Sequence, residues 1–199
     1  MKRSEPPAGH TALLLAAREE FAEHGYAGTS IRSIAQRAGM SLSVLYHYYP
    51  GKLDLLYAIV NDALDAYFDA CDTELARAGD DPAQRLTALV GATIRFRAAH
   101  PAKSSLIQGQ EHSFGEEFLT HYRKRAAQGR RLFQEVIEAG IDAGDFHTPF
   151  PEDARRAVIA MCNAVAQWYD ASGTLSVDEI ADRYATLALR IVEHGRASP

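Results

Sequence analysis

Apolar positions recur with a helical period through almost the whole chain. Ile31, Ile34, Ala35 and Ala38 are spaced i, i+3, i+4, i+7, which places them on one face of a short helix. A longer stripe of the same kind begins near Lys52 and predicts a helix of about seven turns. We find no run of alternating apolar and polar residues bounded by turn residues, so the pattern predicts an all-α fold without strands.

Glycine, proline and hydroxyl side chains mark the predicted helix ends. Gly25 and Gly39 are expected in the left-handed conformation just past the first and second helices. Thr29 or Ser30 can cap the start of the second helix, and Ser41 can cap the third. We predict nine helices in all, the later ones near residues 52–78, 82–100, 102–110, 115–143, 152–172 and 176–195.

Residues 30–49 have the spacing of a helix-turn-helix, two short helices joined by a turn at Gly39 and Met40. In this motif the second helix lies in the major groove of DNA. On that helix Leu45 and Tyr49 are predicted to face the core. The opposite face carries Leu42, Ser43, Tyr46 and His47, whose hydroxyl, phenol and imidazole groups can bond phosphates and base edges. The alternative, that the aromatic run is only a core cluster, is favoured for Tyr49 alone.

Composition and charge are compatible with such a motif at one end of the molecule. The chain has 199 residues, 47% of them hydrophobic, enough for one domain or two small ones with a buried core. Its net charge of −5 argues against a polyanionic partner, yet residues 1–52 carry six basic and four acidic side chains. A mildly basic head on an acidic body suits a protein that touches nucleic acid with one end only.

Other locations and chemistries find little support in the sequence. No apolar run approaches the roughly 18 residues of a membrane span, and the N-terminus lacks a secretion signal, so we expect a soluble cytoplasmic protein. Cys71 and Cys162 lie on apolar stripes and are interpreted as buried packing residues. No phosphate-binding loop, zinc-protease motif, nucleophile elbow or dinucleotide fingerprint occurs. We therefore predict no catalytic residues and no cofactor.

Two histidine–glutamate pairs have a spacing that metal ligands can use. His112 with Glu116, and Glu117 with His121, are spaced i, i+4 and so share a helix face. Neither pair has a third dedicated ligand nearby in sequence. A surface ion pair is the stronger interpretation, and no metal site is predicted.

Three segments resemble the DNA-binding domain of the tetracycline-repressor (TetR) family. They are residues 21–35 (FAEHGYAGTSIRSIA), 38–41 (AGMS) and 45–52 (LYHYYPGK). The resemblance implies an all-helical homodimer in which residues 1–52 bind DNA and residues 53–199 bind a small ligand and the partner subunit. Two copies of the reading helix would then address the half-sites of a palindromic operator.

The same resemblance implies roles for individual residues of the head. The implied phosphate contacts come from Tyr46, Tyr48 and Lys52, and Thr29, Ser30 and Arg32 would lie near the phosphates at the start of the second helix. The whole implied DNA-binding set is Thr29, Ser30, Arg32, Ser41, Leu42, Ser43, Tyr46, His47, Tyr48 and Lys52. Leu42 and Val44 occupy positions that are often polar in the family. Base readout would therefore depend on His47, Ser43, Arg32 and apolar contact with thymine methyl groups. The plainer alternatives are a solvated Arg32 and a Lys52 without a role in binding.

The body is predicted to bind a small hydrophobic effector. The candidate residues are Phe68, Phe96, Phe118, Tyr122, Met161, Trp168 and Tyr169, which together suit an apolar cavity between helices although each alone is more simply core. The tract from Gln167 to Tyr184 is similar to the end of TetR relatives that respond to acyl-CoA thioesters or other hydrophobic acids. An acyl-CoA or an aromatic acid is thus a possible effector.

The last two helices are expected to form the dimer contact. They supply Trp168, Tyr184, Leu187, Leu189 and Ile191 for a four-helix bundle across a two-fold axis. The alternative is that these helices only close the core of the monomer.

Together these features predict a ligand-responsive repressor that is released from its operator by the effector. The rival is a helical small-molecule carrier whose head has lost DNA binding, motivated by the acidic total charge and by Leu42 and Val44. An activator or a DNA-bending protein would carry the same head.

Overall fold

The computed structural model describes residues 8–100 and 115–195, which form eight α-helices and no strand. The helices are α1 (Ala8–Gly28), α2 (Ile31–Arg37), α3 (Leu42–Tyr48), α4 (Lys52–Ala78), α5 (Pro82–Ala99), α6 (Glu116–Asp142), α7 (Pro151–Trp168) and α8 (Val177–Ile191). The predicted all-α class is confirmed. The helix predicted near residues 102–110 and the candidate ligand His112 lie outside the described residues.

The helix ends follow the predicted punctuation, with one correction. Gly25 and Gly39 have φ values of 69° and 66°, in the left-handed region where glycine carries no Cβ penalty. The backbone of Gly25 is non-helical and kinks α1, and the correction is that a further helical stretch follows the kink as far as Gly28. Ser30, not Thr29, caps α2, because its side-chain oxygen accepts the Ser33 backbone N–H at 3.0 Å.

The chain divides into two compact units. The first comprises residues 8–64 together with residues 115–118, and the second comprises residues 65–100 and 119–195. Helix α4 contributes its first part to one unit and its remainder to the other. The functional boundary predicted at residue 52 stays a prediction.

Each unit has an apolar core of its own. In the first, Leu13, Phe21, Ile34, Leu45 and Leu55 are buried. In the second, α5 packs along α8 and α7, and the buried residues include Leu86, Leu89, Val90, Ile94, Val158 and Ile180. None of the described helices has the length and apolar character that crossing a membrane requires.

Candidate nucleic-acid interface

Helix α3 has two distinct faces. Leu45 is fully buried and Tyr49, which follows the helix, is nearly so, with its Oη 2.6 Å from Nε2 of His10 on α1. Burial, with a contribution from the charge of Asp62, raises the pKa of Tyr49 to about 12. Tyr46 and Val44 are 52% and 42% exposed. The predicted orientation of α3 is therefore confirmed.

The exposed side chains of α2 and α3 are mostly polar. Ser30, Arg32, Ser41, Ser43, Tyr46 and His47 are exposed, whereas Leu42 and Tyr48 are half-buried. Ser41 also caps α3, since its Oγ accepts the Val44 backbone N–H at 3.3 Å. The His47 and Tyr48 rings meet edge-to-face with their centroids 5.5 Å apart. This surface therefore offers hydroxyl, phenol, imidazole and guanidinium groups to solvent.

Thr29 and Lys52 differ from the rest of the predicted DNA-binding set. Thr29 is only 4% exposed, and its hydroxyl donates to the carbonyl oxygens of Glu20 (2.9 Å) and Gly25 (2.8 Å). Lys52 Nζ donates to the carbonyls of Tyr26 (2.6 Å) and Thr29 (2.8 Å). Both side chains are thus engaged in holding the segment between α1 and α2.

Arg37 belongs to an ionic cluster that sequence reasoning missed. Its guanidinium donates to Glu20 (2.7 Å), Glu23 (2.5 Å) and Glu19 (3.4 Å) on α1. Hydrogen bonding to Glu23 raises the pKa of Arg37, and the same bond lowers the pKa of Glu23. Arg37 therefore fastens α2 to α1. The signal available in the sequence was the close spacing of three glutamates on α1 ahead of an arginine in the last turn of the next helix.

Part of this cluster has the composition of a cation site. Among the described residues, Glu20, Glu23 and His24 form a group whose potential ligand atoms all lie within 4.8 Å of one another. Arg37 already bonds both carboxylates. The arrangement is thus explained as an ion-pair network that joins two helices.

The predicted effector residues are only partly brought together. Phe118 lies in the first unit, with its ring centroid 5.2 Å from that of Tyr57. In the second unit Phe68 and Phe96 both contact Tyr67, with centroid separations of 5.1 and 4.8 Å. Tyr122, Met161 and Tyr169 are half-buried. The structure therefore places a ring cluster at Tyr67, a residue that the sequence analysis did not select.

A cation borders this ring cluster. The Arg125 guanidinium lies 4.5 Å from the Phe68 ring centroid and donates to Asp65 at 2.6 Å. Tyr67 Oη lies 3.0 Å from Thr93 Oγ1, so the cluster also contains a buried hydroxyl pair.

A separate, open depression of about 430 Å³ lies at the ends of α4 and α8 and the start of α5. None of the predicted effector residues lines that depression.

Trp168 lies on the surface of the second unit. It is 49% exposed and its ring centroid is 6.2 Å from that of Tyr184 on α8. Leu187 on α8 is 51% exposed. Helices α7 and α8 thus present large apolar side chains to solvent.

Both cysteines are buried, as predicted. Burial raises the pKa of the Cys71 thiol to about 11 and that of Cys162 to about 12. Both thiols are therefore neutral at physiological pH and pack as small apolar groups.

Comparison with known families adds two matches over separate parts of the chain. The model described as "Bacterial regulatory proteins, tetR family" matches residues 13–59. The model described as "Tetracyclin repressor-like, C-terminal domain" matches residues 79–192. The first match spans the helix-turn-helix, and the second spans most of the second unit.

Individual relatives extend these matches over nearly the whole chain. The transcriptional repressor KstR2 of Rhodococcus jostii (strain RHA1) is 31% identical over 191 residues, which cover 95% of this chain and 91% of the relative. A crystal structure of a tetR-family regulatory protein from Rhodococcus RHA1 superposes with a TM-score of 0.84 at 29% identity, covering 96% of this chain and all of that one.

A more distant neighbour shares the fold. AibR, solved in complex with isovaleryl coenzyme A and operator DNA, superposes with a TM-score of 0.77 at 22% identity. The superposition covers 94% of this chain and 99% of AibR.

Proposed function

The chain belongs to the TetR family of bacterial regulatory proteins, and on this premise we propose that it is a homodimeric repressor released from a palindromic operator by a small hydrophobic effector. As a family member it is a DNA-binding transcriptional regulator. The observation that carries the proposal is the exposed face of α3, which combines Ser43, Tyr46 and His47 opposite a buried Leu45. A buried side anchored in the core holds such a face at a fixed angle for the major groove.

The chemistry of α3 constrains how bases are read. The helix contains no arginine, lysine, asparagine or glutamine, the side chains that make bidentate contacts with guanine or adenine. Base discrimination is therefore assigned to single hydrogen bonds from Ser43 and His47 and to contact of Val44 and Leu42 with thymine methyl groups. Ser30, Arg32, Ser41, Tyr46 and Tyr48 are assigned to the phosphates beside the groove.

Dimerisation is proposed to use α7 and α8. Trp168 and Leu187 are each about half exposed, and Tyr184 lies beside Trp168. Large apolar side chains exposed in this way are typical of an interface, and a two-fold axis would bury the same surface on both subunits. The two reading helices would then lie roughly 34–36 Å apart, one turn of DNA.

The effector is proposed to be a hydrophobic acid or its coenzyme A thioester, bound near the ring cluster of Tyr67, Phe68 and Phe96. The support is the aromatic composition of the cluster, the Arg125 guanidinium beside it, and the isovaleryl coenzyme A complex of AibR, which has the same fold. Linkage requires that effector and DNA oppose each other reciprocally, typically by about 1–3 kcal/mol.

Gel retardation with genomic fragments at two salt concentrations tests the proposal. A repressor retards a subset of fragments, and the retardation weakens steeply with salt, because binding releases the counterions of several phosphates. Acyl-CoA thioesters of increasing chain length, with free coenzyme A and the free acids as controls, should then release the fragment. A carrier with an inactive head would bind an acyl ligand and retard no fragment at either salt concentration.

A further inference from the structure

Two guanidinium groups border the ring cluster of Tyr67, Phe68 and Phe96. That of Arg125 on α6 lies 4.5 Å from the centroid of the Phe68 ring, and that of Arg97 on α5 lies 5.7 Å from the centroid of the Phe96 ring. Burial raises the pKa of Tyr67, and the positive charge of Arg97 acts in the opposite direction. A cation beside buried rings attracts an anion more strongly than a cation in open water does, because less solvent screens it. The cluster therefore suits a ligand that joins an apolar body to an anionic group.

The guanidinium of Arg125 is only partly used by its neighbours. Nη2 donates to Oδ1 of Asp65 on α4 at 2.6 Å, and Nη1 donates to Oε1 of Gln128 at 3.3 Å. A guanidinium carries five N–H donors, so these contacts use two of them. The Asp65 contact is made by one nitrogen, whereas the strongest pairing of arginine with a carboxylate or a phosphate uses two parallel bonds. Arg125 therefore retains the capacity to bind a second anion.

Helix α6 carries a glycine where it lies beside the rings. Arg125 and Gly129 are four residues apart and so share one face of α6. A Cβ at Gly129 would lie 3.9 Å from the Phe68 ring and 3.9 Å from the Tyr67 ring. No side chain of α6 thus covers the rings at this position, one turn beyond the guanidinium. An apolar chain lying along this face would contact the rings while its anionic end contacts Arg125.

We propose that Arg125 binds the anionic group of the effector, and that Asp65 is the internal counter-ion with which this group competes. The proposal rests on the proposed effector site and adds the charge of the ligand and the residue that recognises it. The Asp65 side chain is 39% exposed, so it has solvent to turn into when the effector binds. The anionic group is the carboxylate of a free acid or a phosphate of coenzyme A, since a guanidinium pairs with both.

The plainer role of the pair is to tie α6 to α4. A tie alone gives the protein no preference between a charged ligand and a neutral ligand of the same shape. Ligands that differ only in charge therefore separate the two roles.

Isothermal titration calorimetry of the full chain, without DNA, tests the proposal with two ligand pairs. Octanoic acid against octan-1-ol tests a carboxylate, and octanoyl-CoA against the octanoyl thioester of N-acetylcysteamine tests the phosphates. The charged member of one pair should bind about tenfold more tightly than its neutral counterpart, which is the size expected of a hydrogen bond to a charged group. The pair that shows this preference identifies the source of the anion.

Two variants change the charge at the site in opposite directions. Arg125→Met removes the cation and keeps an unbranched side chain, so it should lower the affinity for the charged ligand about tenfold and leave that for the neutral one unchanged. Asp65→Asn removes the competing charge and should raise the affinity for the charged ligand about threefold. Arg95→Met is the matched control, because it removes an ion pair with Asp178 between two other helices of the same unit. It should change neither affinity.

Several results would overturn the proposal. Equal binding of charged and neutral ligands by the parent protein, or binding of none of them, would do so, as would an equal loss of both in Arg125→Met. Weaker binding of the charged ligand by Asp65→Asn would do the same. The gain expected for Asp65→Asn is informative even if Arg125→Met misfolds, since an unfolded variant does not bind more tightly.

Failure of the proposed function is distinguishable, because the calorimetry uses no DNA. A parent protein that prefers the charged ligand and retards no fragment is not the proposed repressor, yet Arg125 recognises its ligand. A parent protein that retards specific fragments and shows no charge preference is a DNA-binding regulator in which Arg125 only ties two helices.

Discussion

Both compact units have an apolar core, and they differ in how far polar contacts between short helices supplement it. In the first, α2 and α3 have seven residues each, too few for a helix to be stable alone, and polar contacts from Arg37, Thr29 and Lys52 tie their surroundings together. In the second, α5 has 18 residues and packs lengthwise on α7 and α8 through buried aliphatic side chains.

This contrast explains why the sequence predicts the function of the first unit in more detail than that of the second. A hydrogen bond or ion pair demands a particular partner at a particular place, so the head depends on named residues at fixed spacing. An apolar core accepts many side chains of similar volume. The apolar pattern of the second unit therefore predicts its fold but does not identify its ligand.

The largest effect is expected from removing the single anchor of α3. Leu45→Ala should lower the free energy of unfolding of the first unit by about 2–5 kcal/mol, because a fully buried side chain leaves a cavity. Urea unfolding followed by circular dichroism should show the loss. Fluorescence of Trp168, the sole tryptophan of the chain and a residue of the second unit, should be unaffected.

Leu89→Ala is the matched change in the second unit, since Leu89 is equally buried. It should shift the Trp168 transition by a similar amount. If Leu45→Ala shifts that transition as far as Leu89→Ala does, the two units unfold as one and the contrast between them is lost.

A smaller effect is expected from filling a close approach in the second unit. A Cβ at Gly140 would overlap the buried ring of Phe146, so Gly140→Ala should destabilise this unit by about 1–3 kcal/mol. Gly129 lies on the same helix, and its Cβ would only reach van der Waals contact at 3.9 Å from Phe68. Gly129→Ala should therefore be neutral or stabilising, by up to about 1 kcal/mol.

Thermal unfolding followed by Trp168 fluorescence checks this pair. Equal melting temperatures for the two variants would show that the Phe146 ring moves aside freely. In that case the second unit would be looser than its buried core indicates.

A contact of about 1 kcal/mol is expected between Val44 and a thymine methyl group. Replacing each thymine of a half-site in turn by uracil removes one methyl, which should weaken binding about fivefold at the contacted position. Val44→Ala should make binding at that position insensitive to the same replacement. If uracil is tolerated at every position by the parent protein, Val44 does not read methyl groups.

An effect confined to alkaline pH is expected from titration of the buried thiols. Burial raises the pKa of Cys71 to about 11 and of Cys162 to about 12, from an ordinary value of 9.0. A raised pKa of an acid means that the folded state holds its proton more tightly, so stability is full below pH 9 and declines as the pH rises toward 12. Cys162→Ala should flatten this decline, as measured by urea unfolding between pH 8 and 11.

A decline of the same steepness in Cys162→Ala would contradict this assignment. It would mean that groups other than this thiol set the alkaline stability of the second unit.

The sequence predicted the fold and the orientation of α3 because both depend on local patterns. Apolar period, capping serines and left-handed glycines placed the helix ends, and a helical wheel separated Leu45 from Tyr46. The sequence did not predict that Thr29 and Lys52 donate hydrogen bonds to backbone carbonyls, or that Arg37 forms ion pairs with three glutamates. Those contacts join residues 4 to 26 positions apart, and spacing alone does not show which partner a polar side chain will choose.

The effector residues were the least predictable. Phe68 and Phe96 both contact Tyr67, whereas Trp168 lies on the surface of the second unit and Phe118 belongs to the first. A helical stripe identifies which side of a helix is buried. It does not identify which of the buried rings share a neighbour.

Selection of random DNA duplexes by the purified protein tests the central claim most directly. The exposed face of α3 predicts an enriched palindrome whose half-site centres lie about one helical turn apart, and a different preferred base at one half-site position for His47→Ala. Enrichment of no sequence, or the same site for His47→Ala as for the parent protein, would contradict it.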